Sequence, residues 1–158
     1  MTELEALLRI LVAVALGAAL GLERELTAKP AGLRTYMLVA EGAALFMIGS
    51  ILLTEQFGPA GGGIAPDPTR IPAGIVTGVG FLGAGVIFQS RDRILGITTA
   101  ASIWVAAVIG MLAGAGYYIT AVGGTVVALI TLAALRFLER QIGAKSPPSQ
   151  DIDDREDT

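Results

Sequence analysis

Glu41 is the residue whose type and place most need a physical account. It sits about two turns inside an apolar run, between Ala40 and Gly42. A carboxylate at that depth is costly, so it must face the bundle, water or a base, or be protonated. Arg34 lies on the same helical face, ~10 Å away along the axis. Helical side chains lean towards the N-terminus, so Glu41 leans towards Arg34 while Arg34 leans away. A buried, paired or neutral acid and an ion- or proton-handling group are equally good readings. Three further charged groups mark helix ends. Glu23-Arg24-Glu25 closes the first apolar run, Arg34-Thr35 opens the second, and Asp67 and Arg70 stand at the mouth of the third. The plainer readings are an interfacial charge cluster for the first and a helix-end ion pair for the last. Carboxylates suit hard cations such as Mg²⁺, as ligand or as solute. Glu23, Glu41 and Asp67 are the candidates, but helix spans separate them and no spacing resembles a preformed metal cage. Metal ligands are therefore left unassigned.

Several chemistries are excluded. The chain has no histidine and no cysteine, which removes histidine-dependent hydrolases, disulfides and the usual zinc ligands. Paired carboxylates do acid–base work only within hydrogen-bond reach, and nothing in the sequence places two together, so the chain is read as non-enzymatic with no cofactor. Gly78-Val79-Gly80-Phe81-Leu82-Gly83 matches G-x-G-x-x-G, but it lies inside an apolar run rather than between a strand and a helix. No ATP-binding element accompanies it. No basic stripe supports nucleic-acid binding.

The elements that must position these residues are membrane helices. Of 158 residues, 53% are hydrophobic and 16% charged, against about a quarter charged in soluble domains. Crossing the ~30 Å hydrocarbon core takes ~20 mainly apolar residues. Five runs come near that: Leu7 to Leu22, Thr35 to Leu53, Ile71 to Phe88, Thr98 to Gly114 and Tyr117 to Phe137. The third and fourth are short and Gly-rich, which admits tilt or partial re-entry. The expected fold is all-α, a polytopic bundle of five transmembrane helices over residues 1–143. Residues 144–158, with Ser146-Pro147-Pro148-Ser149 and an acidic run, read as a disordered tail. Arg24, Lys29, Arg34, Arg91, Arg93, Arg136, Arg140, Lys145 and Arg155 fall on one side, against Arg70 and Arg9 on the other. Bases favour the cytoplasm, so the N-terminus is expected outside and the C-terminus inside. Glu3 and Glu5 precede Arg9, which is no signal-peptide pattern, so the first run reads as a permanent span.

Small residues suggest how the helices pack, since they permit close approach in lipid. Ala13, Gly17 and Gly21 form one stripe on the first helix. On the third, Gly74, Gly78 and Gly85 share a face, with Gly80, Gly83 and Ala84 broadly opposite. A helix smooth on two sides is expected at the centre of the bundle. On the fourth, Ala106, Gly110, Ala113 and Gly114 share one side, with Trp104 roughly opposite. Tight packing is the plainer reading of these glycines; close approach to a solute, or a hinge, is the functional one. Thr69 is the expected cap of the third helix, and Thr98 or Thr99 of the fourth.

Five blocks in order resemble the MgtC/SapB membrane protein family, over about Gly17 to Leu138. They are Gly21-Leu22-Glu23-Arg24-Glu25; Ala31-Gly32-Leu33-Arg34-Thr35; Asp67-Pro68-Thr69-Arg70-Ile71; Thr77 to Ile87; and Gly96 to Trp104, continued by Ala107 to Gly110. The resemblance implies a five-helix bacterial inner-membrane domain, a link to survival at low magnesium and, for some members, virulence inside phagocytes. The best-known members of the family are viewed as modulators of the rotary ATP synthase rather than as proven magnesium carriers, which is what the resemblance implies here. Glu23, Arg24, Arg34, Asp67, Arg70, Thr98, Thr99 and Trp104 carry over as polar motif positions. Three features depart from the family pattern. Many relatives append a small soluble domain where this chain has an acidic tail. Pro72-Ala73-Gly74 stands where Ala-Ala-Gln is common, and Glu41 where a small or neutral residue is expected.

Two functions from different classes follow. One is a regulator that touches another membrane complex through its helix faces, at Gly78 or Gly110. The other is a channel or carrier for Mg²⁺ or another small solute, built by a homodimer because five helices are few for a path. The expected partners are lipid, a second copy and a membrane complex.

Overall fold

The structure, a computed structural model, describes residues 1–57, 70–90 and 93–141. Those residues form five helices and one small hairpin. Helix α1 spans Glu3–Leu26, α2 Leu33–Phe57, α3 Arg70–Val86, α4 Ile97–Gly114 and α5 Tyr118–Gln141. Between α3 and α4, strands β1 (Phe88–Ser90) and β2 (Arg93–Leu95) pair antiparallel, with Phe88 opposite Leu95 and Ser90 opposite Arg93. The fold is all-helical apart from this hairpin, whose two strands of three residues are too short to show as a sequence pattern.

Four helices (α1, α2, α4 and α5) are long and apolar enough to cross a membrane. The fifth, α3, has 17 residues, ~25 Å of helix against the ~30 Å of a hydrocarbon core. Large apolar side chains stand exposed along the outer faces, among them Leu7, Leu11, Phe46, Phe81, Ile119 and Val127. A soluble monomer rarely exposes so much contiguous apolar surface; lipid is the solvent that suits it.

The packed core is α1, α2 and α4, and small residues build it. A Cβ on Gly17 would lie 2.6 Å from the Tyr36 carbonyl oxygen, and one on Gly21 2.7 Å from Leu33 Cα. On the other side of α2, a Cβ on Gly110 would collide with the Ala40 backbone, and one on Gly114 would lie 2.7 Å from the Ala44 carbonyl oxygen. Ala40 is thus pinned between Gly17 and Gly110. The stripes expected on the first and fourth helices are both used.

The expectation for α3 is overturned. The central helix is α4, which touches all four others and buries Ala100, Ile103, Ala106, Ala107, Ile109 and Ala113 with its glycines. Helix α3 lies at the edge and buries only Ile75, Val79 and Gly83. Gly83 alone among its glycines meets a neighbour, Ala100, with a Cβ there 3.6 Å from the alanine methyl. Among the described residues nothing lies within 4 Å of a Cβ built on Gly74, Gly78, Gly80 or Gly85. Small residues permit contact but do not compel it. Here the core volume is filled by the larger side chains of α4 and by Tyr36 and Leu20.

The two ends of α4 are built differently. At its N-terminus the cap is Gly96, at φ 86° and with no side-chain hydrogen bond; Thr98 and Thr99 lie inside the first turn rather than capping it. A Cβ on Gly96 would collide with the Val86 carbonyl, so glycine is required for space as well as for φ. At the C-terminus, Tyr117 N–H donates to the Leu112 carbonyl (2.9 Å) and Gly116 N–H to that of Ala113 (3.0 Å). Gly116 stands at φ 87°. This is the Schellman ending, and it turns the chain directly into α5. The expected Thr69 cap of α3 lies outside the described residues.

Candidate functional site

Where α1 ends, α4 begins and α5 approaches its end, polar side chains gather. Arg24, in the last turn of α1, is 3% exposed. Its Nη2 donates to Thr99 Oγ1 at 3.4 Å, and its Nη1 lies 3.6 Å from the Glu23 carboxylate. That carboxylate is ion-paired with Arg136 of α5. Glu23 and Arg136 are themselves largely shielded, with side chains 14% and 31% exposed. A buried guanidinium needs nearly all of its donors answered, yet among the described residues Arg24 Nε has no hydrogen-bond partner.

A second polar contact ties α2 to the same turn of α4. Ser102 Oγ lies 2.9 Å from the carbonyl oxygens of both Thr98 and Thr99. Its single proton is directed to these carbonyls, so Tyr36 must donate its own to Ser102 Oγ, at 2.5 Å. Tyr36 is fully buried. Arg24, Thr99, Ser102 and Tyr36 therefore form one chain of contacts across α1, α4 and α2. Close by, Glu25 accepts the N–H of Leu33 at 2.7 Å, answering a free donor at the start of α2. Gly32 leaves the space for it, since a Cβ there would strike the Glu25 carboxylate.

Of the residues singled out from sequence, Glu23, Arg24 and Thr99 come together. Thr98 joins through its carbonyl alone, its residue being exposed. Arg34, Thr35 and Arg70 are exposed, and Trp104 is 43% exposed on the outer side of α4. Glu41 is partly buried, and among the described residues no hydrogen bond or ion pair reaches it. The Arg34 pair considered for it is not made. Asp67 lies outside the described residues. Gly110 is consumed by packing inside the protomer, so it is not a free contact face. Among the described residues no three carboxylates gather to hold a metal.

Arg136, Tyr36 and Ser102 are the members that sequence reasoning missed. Arg136 had been weighed only as a base at a span end. The signal for the other two was a hydroxyl set among apolar neighbours in each of two helices, which in lipid calls for a partner across the interface. Among the described residues the cluster joins two guanidinium groups, the Glu23 carboxylate and three hydroxyls, a set of groups that can hold an anion or lock helices together.

The MgtC family profile matches residues 10–141. The chain belongs to the MgtC family. Protein SapB of Bacillus subtilis is 42% identical over 147 residues, covering 92% of this chain and 63% of that protein. Protein MgtC of Salmonella typhimurium is 41% identical over 136 residues, 86% of this chain and 54% of its own length. A protein of Escherichia coli K12 named putative magnesium transporter YhiD is 46% identical over 129 residues, 78% of this chain and 56% of its own. The chain spans a little over half the length of the curated relatives it matches. No solved structure matches it significantly. Two of the blocks that carried the MgtC-family resemblance, Gly21 to Glu25 and Gly96 to Trp104, are the ones that meet at Arg24 and Thr99.

Proposed function

We propose that this MgtC-family chain is a non-enzymatic protein of the bacterial inner membrane, serving magnesium homeostasis by lateral contact with another membrane complex. The family resemblance points to the rotary ATP synthase as that complex. In this reading residues 1–143 are the membrane domain, with the N-terminus outside and residues 144–158 a cytoplasmic tail. The magnesium link is supported by the printed name of the E. coli relative. Contact as the mode of action is supported above all by one observation: Gly74, Gly78, Gly80 and Gly85 leave α3 smooth and unoccupied on its outer sides. Between α2 and α3 runs an apolar groove of about 480 Å³ lined by Leu38, Gly42, Phe46, Gly74, Gly78 and Leu82. Helices in membranes associate through such small-residue surfaces.

The test is capture of the tagged chain from native membranes in mild detergent. The wild type should carry a membrane complex with it, and Gly78→Leu should lose that complex while keeping its fold, because Gly78 has no neighbour to disturb inside the protomer. Undiminished capture by the folded variant would remove α3 as the contact face. A homodimeric carrier for Mg²⁺ or another small solute is the second reading, favoured by Glu41, partly buried with no described partner. Mg²⁺ flux into proteoliposomes above that of empty vesicles, lost in Glu41→Gln, would put the carrier in the regulator's place.

A further inference from the structure

The donor surplus around Arg24 has a chemical complement, and it stands independently of how α3 is used. We infer that the opening turn of α4, with the Arg24 guanidinium set against Thr99, binds a phosphate-class oxyanion.

Four observations carry this. First, among the described residues two guanidinium groups share the Glu23 carboxylate, and Arg136 holds it while Arg24 stands 3.6 Å from it, beyond hydrogen-bond length. Secondly, Arg24 is 97% shielded, with its Nε unpartnered and its one hydroxyl contact long at 3.4 Å. Thirdly, that contact directs the guanidinium to Thr99, in the first turn of an 18-residue helix whose cap supplies no side-chain acceptor. The first helical N–H groups have no intrahelical partner and carry positive partial charge. Among the described residues no acceptor reaches those of Thr98 or Thr99. Fourthly, the site has a mouth: Ile97 and Thr98 are exposed while Thr99 and Arg24 are buried.

The carbonyls at the end of α1 do not meet this need. Those of Arg24 and Glu25 accept from Thr27, Ala28 and Lys29 in the turn that follows. What remains is a floor of donors that no acceptor faces among the described residues. A phosphoryl group fits it, since it takes a forked pair of bonds from guanidinium and further bonds from helix N–H groups and hydroxyls. The cluster lies at the ends of three apolar helices, the depth of lipid headgroups. The phosphoryl group can therefore belong to an anionic lipid or to free phosphate, and the experiment separates the two.

The full chain is reconstituted in phosphatidylcholine vesicles, and its thermal unfolding is followed against inorganic phosphate, with chloride at equal ionic strength as control. A second arm uses vesicles containing phosphatidylglycerol and no phosphate. A rise in Tm with phosphate in the first arm assigns a free ligand; a rise confined to the second assigns the lipid headgroup. In the responding arm Arg24→Gln should weaken the apparent affinity at least about tenfold. Thr98→Asp provides a check if Arg24→Gln does not fold. It places a carboxylate on the open first turn, so it should raise the starting Tm and abolish the response. Absence of any response in folded wild type overturns the proposal. So does an undiminished response in Thr98→Asp, which would signal general surface charge.

Discussion

The two ends of α4 each meet an arginine of α1, and the two arginines are treated in opposite ways. Arg9 donates to the Gly114 carbonyl at 2.9 Å and pairs with Glu5 at 2.5 Å. A cation at a helix C-terminus faces the negative end of the dipole, and the carbonyl is an acceptor that needs a donor. Gly116 packs on the same guanidinium, a Cβ there lying 3.1 Å from Arg9 Cζ. At the other end Arg24 approaches the positive terminus of α4, where donors meet donors. Nε is unpartnered in both arginines, so that feature does not separate them; the surroundings do. The Arg9 end closes on groups of this chain alone, whereas the Arg24 end calls for an anion. One marks structure and the other a place for a ligand.

The largest expected effect breaks the closed end. Gly114→Leu drives a side chain into the Ala44 backbone, which cannot retreat without parting α4 from α2. Overpacking of this kind costs about 3 kcal/mol, and thermal unfolding in vesicles should show the loss in Tm. Gly96→Ala strikes the open end through the backbone. It sets a Cβ against the Val86 carbonyl at φ 86°, and about 2 kcal/mol should be lost. An unchanged Tm in Gly96→Ala would mean that the turn before α4 is free to rearrange.

How much of this was legible follows the range of the interactions. Apolar runs announced all five helices to within a few residues, because each helix is apolar along most of its own length. The Ala13-Gly17-Gly21 and Gly110-Gly114 stripes also spoke correctly, each meeting the backbone of α2. Helix α3 misled because its glycines lie on two faces, and periodicity does not say whether a smooth face meets a helix or lipid. The hairpin at Phe88 to Leu95 was silent, its strands being three residues each. The Glu23-Arg24 cluster was visible as a charged group at a helix end. Its burial was not, since Arg24 meets Thr99, 75 residues further on, and Glu23 is held by Arg136 from the last helix.

The sharpest comparison replaces each arginine by methionine, which keeps much of the volume and removes the charge. Arg9→Met leaves the Gly114 carbonyl without its donor and strips a cation from a helix C-terminus, so about 1–2 kcal/mol should be lost. Arg24→Met removes a buried cation that has only one long hydroxyl contact and a share in a carboxylate already held by Arg136. Replacing an under-served buried charge by an apolar side chain is often neutral or stabilising. In phosphatidylcholine vesicles free of phosphate, Arg24→Met should therefore lie within about 0.5 kcal/mol of the wild type. The gap between the two variants is the quantity to measure. Equal losses would mean that Arg24 is as fully used within the chain as Arg9, and the difference between the two ends of α4 would disappear. A loss in Arg9→Met alone would show that the chain retains Arg24 for something other than stability.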